Sequence, residues 1–417
     1  MEVFETMNAA DNAWVLAASA LVLLMTPGLA MFYGGMTLSK NVLSTMMHSF
    51  FLMGLASIIW LFYGFSLSFA PDALGGFLGG TDYLGLKGIG AGLFPDLADP
   101  SKTMTIPRTT FMIFQCMFAI ITPALISGAF AERMKFSSFI VFMVLLLTFV
   151  YSPVAHWVWG GGFLQKMGAL DFAGGTVVHI NSGVAALACA LMLGKRKGYG
   201  TVPMMPHNLT LTLLGAGLLW FGWFGFNAGS ALKANASASM AFVVTHMATA
   251  TAAISWVFAE WIIKGKPTTL GMASGAVAGL VAITPAAGYV GPVSSVIIGA
   301  VAGVVCYLAV LAKSSLGYDD SLDVVGIHGV GGTWGALATG LFASKLINPD
   351  AANGLFFGDP AQLGTQAAAV VITIVYSFVV SLIILWVVKA VMGLRVTEEE
   401  EVVGVDTSVH GEAGYNL

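Results

Sequence analysis

The sequence predicts an all-α integral membrane protein of eleven transmembrane helices, built as an inverted five-plus-five repeat followed by one final helix. Three observations support this prediction. Only 9% of the 417 residues are charged and 57% are hydrophobic, whereas roughly 25% of the residues in a soluble globular protein are charged. Eleven apolar runs are long enough to cross a bilayer, and one short motif recurs in both halves of the chain.

The apolar runs define the predicted helices in order. A hydrocarbon core of about 30 Å requires about 20 helical residues, each rising about 1.5 Å. The runs that satisfy this length are 14–34, 44–69, 111–130, 138–157, 176–193, 209–227, 241–263, 271–289, 293–312, 324–343 and 365–391. The 51 glycines favour helices that approach each other closely within lipid. An odd number of spans predicts termini on opposite sides of the membrane.

The charges between the helices predict the orientation. No Lys or Arg occurs in the first 13 residues, and the first apolar run lacks a small-residue cleavage site, so we expect no signal peptide. If the N-terminus is outside, eleven of the 17 Lys and Arg residues lie inside and six outside, as the positive-inside rule prefers. We therefore expect a multi-pass protein of the cell (plasma or inner) membrane, with segment 71–107 as an external loop.

This orientation divides the chain into a transmembrane domain, 1–392, and a cytoplasmic C-terminal tail, 393–417. Four consecutive glutamates at 398–401 cannot lie within the membrane. We expect the tail to be a solvated end, and docking of a partner is the alternative.

Composition also excludes several classes of function. A net charge of −4 without a basic patch gives no means of neutralising nucleic-acid phosphates. The three cysteines lie in apolar runs without paired spacing, which predicts neither disulfides nor a zinc site. No nucleotide loop, nucleophile elbow or metalloenzyme motif is present, so we expect no cofactor, no metal and no enzymatic activity.

The recurring motif is Asp-x7-His-x3-Gly, which places one histidine deep in each half. Each Asp can cap the N-terminus of its helix, and eight residues then carry each His about 12 Å inward. Because the two copies are antiparallel, both histidines reach the midplane, where inverted halves of transporters build a site. The motif residues are Asp171, His179 and Gly183 in the first copy and Asp320, His328 and Gly332 in the second.

Two other roles for the histidine pair, a structural one and a metal-binding one, compete with a role in a pathway. A single His in an apolar helix commonly bonds a neighbouring helix, and a metal pair is conceivable. No Cys, Glu or Asp stands one turn from either His, however, which disfavours metal ligation. Burying two ionisable groups within a membrane is costly, so we expect His179 and His328 to line a pathway.

Longer strings carry a family resemblance. They are GAFAERMKFS at 128–137, DFAGGTVVHINSG at 171–183, HNL at 207–209, GWFGFNAGS at 222–230 and DVVGIHGVGG at 323–332. Together they resemble the ammonium transporter family (Amt/Mep/Rh), on its bacterial Amt side. The resemblance runs in order from FYGG at 32–35 to HGEAGY at 410–415.

The resemblance implies roles for individual residues. It implies an external recruitment site for ammonium at Phe118, Trp159, Ser230 and Asp171, where the aspartate both caps its helix and attracts the cation. It further implies a gate of two stacked phenylalanines, Phe118 and Phe226, and a pore lined by His179 and His328. By themselves, Trp159 would be an interfacial residue, the phenylalanines core packing and Asp171 a helix cap.

The resemblance also implies a mechanism and partners. Since bare NH₄⁺ pays tens of kcal/mol of desolvation in an apolar medium, we expect it to be deprotonated near the gate and passed as NH₃. The hypothesis is that the proton is conducted too, so that net charge moves. The family is homotrimeric, with a pore through each subunit, and PII-type regulatory proteins bind the cytoplasmic tail of many members.

Three other functions compete with uptake of ammonium: a sensor, a membrane metalloenzyme and a neutral-gas channel. A sensor with the same fold usually carries a long extra cytoplasmic domain, and only about 25 residues follow the last predicted helix here. A membrane metalloenzyme lacks a ligand cluster in this chain. A neutral-gas channel of the Rh type differs in its recruitment site, and the presence of both Trp159 and Ser230 favours the Amt side.

Overall fold

A computed structural model describes residues 7–96 and 102–415, and over these ranges the protein is a bundle of long helices. The helices are numbered α1 to α12 along the chain. In order they are Ala9–Met36, Ser39–Phe69, Arg108–Phe130, Phe136–Lys166, Gly175–Leu193, Leu209–Gly229, Ala236–Lys264, Thr269–Ile283, Pro292–Leu316, 325–342, Pro360–Met392 and Glu398–Val403.

Nine helices of the described residues are long and apolar enough to cross a membrane, and they correspond to nine of the predicted spans. The other two spans fall on shorter helices. Helix α8 has 15 residues and ends before Pro285, which lacks the amide hydrogen that a continuing helix needs. The predicted span 271–289 is therefore too long as a helix. Helix α10 joins a turn of 6 residues to a helix of 12, and the number of crossings stays a prediction.

Four helices contain stretches of π-helix rather than the uniform α-helix that a regular period predicts. They are Trp60–Gly64 in α2, Leu147–Tyr151 in α4, Gly175–Ile180 in α5 and Val325–Val330 in α10. A π-turn inserts an extra residue without changing the apolar composition, so hydropathy does not reveal it. The last two stretches contain the motif histidines.

The connection between α2 and α3 is irregular, as its glycine, proline and aspartate content predicts, but it also contains a small hairpin. Strands β1, Leu93–Pro95, and β2, Thr103–Pro107, pair antiparallel, with Leu93 opposite Pro107. Residues 97–101 of the predicted loop lie outside the described residues. The loop stands at the end of the bundle where α2 ends and α3 begins.

Small residues allow the helices to pack tightly. Helix α6 lies against α1 through glycines, and a Cβ atom at Gly225 would lie 2.7 Å from the carbonyl oxygen of Ala18. Helices α3 and α5 are the most enclosed long helices of the described chain, with 89% and 83% of their apolar windows buried. Close backbone approach stabilises helix pairs in lipid, because apolar side chains gain little when they exchange contacts with lipid for contacts with another helix.

The C-terminal tail packs against the opposite end of the bundle from the hairpin, so the prediction of a solvated end is wrong for the described part. The amide of Val396 donates to the Arg133 carbonyl at 3.0 Å. Arg395 binds the buried Glu401 carboxylate at 2.7 Å. Asp406 accepts from the amides of Leu43 and Ser44 at 2.9 and 2.7 Å. The fourfold glutamate run forms α12, of which Glu398 is exposed and Glu401 is buried.

Candidate functional site

A vestibule opens at the end of the bundle that carries the hairpin. It is a cavity of about 610 Å³ that includes Phe118, Trp159, Asp171 and Ser230 in its lining. Besides Asp171, its described lining includes the carboxylates of Asp96 and Asp350 and the ammonium of Lys345. An excess of carboxylates over cationic groups raises the local concentration of cations.

Asp171 organises the vestibule floor through its backbone and its side chain. Its carboxylate accepts hydrogen bonds from the amides of Gly174, Gly175 and Thr176 at 2.6–2.7 Å and from the Thr176 hydroxyl at 2.5 Å. These amides are the unpaired donors at the start of α5, which a carboxylate satisfies. The Asp171 carbonyl accepts from Trp159 Nε1 at 2.9 Å, so the aspartate also orients the indole ring.

Ser230 presents its hydroxyl oxygen to the same cavity. The hydroxyl donates to the Phe226 carbonyl at 2.8 Å. Since its hydrogen is committed to that bond, the oxygen lone pairs are left as acceptors. The half-buried Ser230 and Trp159 thus offer a cation an oxygen acceptor and an aromatic face.

A continuous file of rings leads from the vestibule into the bundle. The ring centroids of Trp159 and Phe118 are 5.6 Å apart, and those of Phe118 and Phe226 are 4.5 Å apart. From Phe226 the next ring is His179 at 6.0 Å, followed by His328 at 5.3 Å. Both phenylalanines are at most 1% exposed, so they separate the wet vestibule from the histidines.

The two motif histidines meet at the inner end of this file. Their Nδ1 atoms lie 3.3 Å apart, and both side chains are almost completely buried. A bond between these atoms requires one ring to donate and the other to accept, so the two neutral imidazoles have complementary tautomers. His179 Nε2 has no hydrogen-bond partner among the described residues, which leaves it available to a small polar molecule.

The motif glycines explain how the histidines come together. A Cβ atom at Gly332 would lie 2.9 Å from the Cβ of His179. Reciprocally, a Cβ at Gly183 would collide with the Gly329 backbone and lie 3.0 Å from the carbonyl carbon of His328. Each glycine therefore clears space at the histidine of the other copy, which gives the x3 spacing a physical reason.

The two motif aspartates differ in their environments. Asp320, at the tail end, accepts from the Val325 amide at 2.7 Å through Oδ2, whereas Oδ1 lacks a partner among the described residues. Burial raises the pKa of the Asp320 carboxyl to about 6, although the Lys313 ammonium opposes this effect. Asp171 is a fully bonded cap, but Asp320 is a buried carboxyl with spare bonding capacity.

One contributor was missed by the sequence analysis. The Trp223 ring stacks on His179, with centroids 5.4 Å apart and an angle of 20° between the rings. Its Nε1 donates to Thr284 Oγ1 at 2.9 Å, which holds the indole beside the imidazole. The string at 222–230 contained the only signal, because neither composition nor spacing separates Trp223 from core packing.

No metal site accompanies these residues in the ranges 7–96 and 102–415, where no three His, Cys, Asp or Glu side chains cluster closely enough to hold an ion. The arrangement offers aromatic faces, one hydroxyl acceptor and two imidazoles in an apolar setting. Such groups can strip water from a small cation and hydrogen-bond a small neutral amine.

Comparisons with known proteins agree with this geometry. The model of the Ammonium Transporter Family matches residues 13–415. An ammonium transporter of Bacillus subtilis is 53% identical over 410 residues, covering 98% of this chain and 99% of that protein. Ammonium transporter Amt1 of Archaeoglobus fulgidus is 49% identical over 409 residues, covering 98% of this chain and 100% of that protein.

Solved structures show the same fold. The crystal structure of Candida albicans Mep2 matches with a TM-score of 0.89 and 38% identity, covering 96% of this chain and 89% of that chain. A structure described as a sensor Amt protein matches with a TM-score of 0.88 and 31% identity, covering 97% of this chain and 98% of that chain. Family match, relatives and fold agree: this multi-pass membrane protein belongs to the ammonium transporter family, a family of transporters and channels rather than of enzymes.

Proposed function

We propose that the protein takes up ammonium, recruiting NH₄⁺ at Phe118, Trp159 and Ser230 near Asp171. The observation that carries the proposal is the unbroken file of rings from Trp159 to His328. Cation–π contacts contribute about 0.5–2 kcal/mol each, and the Ser230 oxygen accepts one further hydrogen bond. These contacts offset part of the hydration that the cation loses in the vestibule.

The phenylalanine gate then selects the neutral form. The rings of Phe118 and Phe226 are close together but tilted by 41° rather than stacked in parallel, and both are buried. A bare cation between them would lose its remaining water without gaining an acceptor. NH₄⁺ therefore gives its proton to water on the vestibule side of the gate, and NH₃ passes along His179 and His328. Each imidazole offers a donor or an acceptor to NH₃ according to its tautomer. The proton is conducted separately, so that net charge moves inward with the membrane potential.

The proposal includes the placement of the protein in the membrane. The vestibule end faces outward and the tail end faces the cytoplasm of a plasma or inner membrane, with eleven crossings in an inverted five-plus-five repeat. The domain limits are those of the sequence prediction, 1–392 and 393–417. A homotrimer with one pore per subunit, and a PII-type protein at the tail, are part of the same proposal.

Current measurements on purified protein in liposomes test the mechanism. A step of ammonium chloride should produce an inward current that potassium chloride does not. The double variant His179→Ala, His328→Ala should lose this current or its selectivity over potassium, whereas His246→Ala, on the outer surface of the bundle, should keep both. Gel filtration of each variant verifies that it is folded.

Two other results would replace parts of the proposal. Rapid internal alkalinisation without current would mean a neutral NH₃ channel. Neither a current nor alkalinisation, with ammonium binding intact, would mean a sensor. An unchanged current and unchanged selectivity in the double variant would remove the histidines from the mechanism.

A further inference from the structure

A second set of buried polar groups lies outside the histidine pore, on α5 and α11. Thr373, Ser377 and Ser381 occur every four residues along α11, so they share one face of that helix. All three are fully buried. Asn181, two residues after His179 on α5, is fully buried as well. We call these four side chains the polar seam.

The two helices are in contact beside the seam. Ile180 and Val184 of α5 belong to one apolar cluster with Val370 of α11, against which Ile374 and Phe378 of α11 also pack. Asn181 follows Ile180 directly, and Thr373 and Ser377 directly precede Ile374 and Phe378. The seam residues therefore flank the contact between the pore helix and the last long helix.

The seam side chains lack protein partners. Within the described chain no group forms a hydrogen bond with Asn181 Oδ1 or Nδ2, or with the hydroxyls of Thr373, Ser377 and Ser381. Buried polar atoms are almost always paired, because leaving one unpaired costs free energy. Five such atoms on two helices that contact each other therefore require partners that the described protein groups do not supply.

Several other buried hydroxyls in the bundle form hydrogen bonds within their own helices. Thr122, Thr245 and Thr339 each donate to the carbonyl four residues earlier, at 2.6–2.9 Å. The three hydroxyls of α11 form no such bond, although their helix offers the same carbonyls. This difference indicates that they are directed to an external partner small enough to fit between two packed helices.

Both ends of the seam are closed. Toward the vestibule, Gln366 is fully engaged, because its Nε2 donates to the Leu170 carbonyl at 2.7 Å and its Oε1 accepts from the Leu170 amide at 2.7 Å. Toward the tail, the buried side chains Leu385 and Val388 continue the same face of α11. A partner inside the seam is thus isolated from both solvent and vestibule.

We propose that the polar seam is a binding site for a row of ordered water molecules, held by Asn181, Thr373, Ser377 and Ser381. Thr373 and Ser381 are eight residues apart, which spans about 12 Å. Waters spaced at about 2.8 Å would fill this distance with about four molecules. Water is the smallest molecule that both donates and accepts, as a seam of one amide and three hydroxyls requires. The inference is independent of the transport mechanism.

Direct observation tests the proposal. A structure of the purified protein at a resolution that shows ordered water should contain density within about 2.7–3.2 Å of Asn181 and of the hydroxyls. Radiolytic labelling in oxygen-18 water should label side chains beside the seam, such as Phe378, from slowly exchanging water. An empty seam in a map that resolves waters elsewhere would overturn the proposal, and so would hydroxyls turned onto their own helix.

Stability measurements distinguish a wet seam from a dry one without a new structure. If the seam is wet, Asn181→Leu and Thr373→Val should lower the melting temperature, because the waters lose partners. If it is dry, both substitutions remove unpaired groups and should leave the melting temperature unchanged or raised, which would contradict the proposal. Thr339→Val is the matched control, since it is equally buried but bonds its own helix. Should a seam variant fail to fold, the density in the parent protein decides.

Discussion

At the scale of single residues, Asp171 shows how one side chain can serve a helix and a binding site together. Its carboxylate caps the first turn of α5, and its carbonyl orients Trp159. The sequence analysis weighed a cap against a role in attracting cations. The geometry is compatible with both, because the cap leaves the aspartate in the vestibule lining.

Replacing Asp171 should therefore be costly. In Asp171→Asn an amide group replaces one acceptor oxygen and faces amide donors, so we expect a loss of about 2–4 kcal/mol of unfolding free energy. Thermal unfolding in detergent measures this loss. Asp359→Asn is the control, since that half-buried aspartate caps α11 through a single bond from the Ala361 amide. Equal losses in the two variants would contradict the assigned importance of the multiple bonds.

Asp320 should make the stability of the protein depend on pH. Its folded-state pKa of about 6 lies above the ordinary value of 3.8, so the native state binds this proton more tightly than the unfolded state. The contribution of this carboxyl to stability is then fully present below pH 4 and is lost as the pH rises through 6, by about 3 kcal/mol at most.

The variant Asp320→Asn should lack this decline. We expect it to melt at a higher temperature than the parent at pH 7.5 and to show a smaller difference between pH 4.5 and 7.5. Asp350→Asn, an exposed substitution, should follow the parent at both values. Parallel pH curves for Asp320→Asn and the parent would contradict the burial argument.

At the scale of elements, a buried ionic cluster connects the loops at the tail end. Arg196, between α5 and α6, binds Asp319 at 2.9 Å and Glu132 at 2.6 Å. Burial lowers the pKa of the Arg196 guanidinium, but the two carboxylates outweigh that effect and raise it. For the Asp319 carboxyl, burial raises the pKa, but hydrogen bonds from Arg196 outweigh this effect and hold the pKa below its ordinary value. The cluster is thus charged and fully paired.

Removing the arginine should leave the buried carboxylates of Glu132 and Asp319 without their salt-bridge partner. We expect Arg196→Met to cost about 3–5 kcal/mol of stability and to expose the loop 194–208 to limited proteolysis. The neighbouring Lys197→Met removes an exposed pair with Glu398 and should change little. If the two variants were cleaved at the same rate, the loop would not depend on the cluster.

The elements also show which structural features the apolar pattern of the sequence predicts and which it does not. Nine spans follow from apolar length alone, because a membrane demands length and hydrophobicity above all. The π-helical stretches at both histidines did not follow, since they depend on how α5 and α10 pack at Gly183 and Gly332. The docked tail was missed for the same reason: its partners, such as Arg133 and Ser44, are more than 200 residues away in the sequence.

At the scale of the whole molecule, the orientation in the membrane is directly testable. The three native cysteines are buried, so they should react poorly with a membrane-impermeant maleimide. Gly90→Cys, in the open loop at the vestibule end, should be labelled on intact cells, and Thr201→Cys, exposed at the tail end, only after lysis. The reverse pattern would invert the proposed orientation and with it the direction of uptake.

The sequence by itself determined the class of the protein, nine of its spans, the motif histidines and the family, because apolar length and short motifs are local properties of the chain. Only the tertiary structure decided that the histidine rings meet at 3.3 Å and that Trp159, Phe118 and Phe226 line up before them. It also revealed the stacked Trp223, the unequal aspartates and the polar seam. These features depend on contacts between helices that are distant in the sequence. The sequence analysis could not find them because hydropathy does not show which face of one helix packs against which face of another.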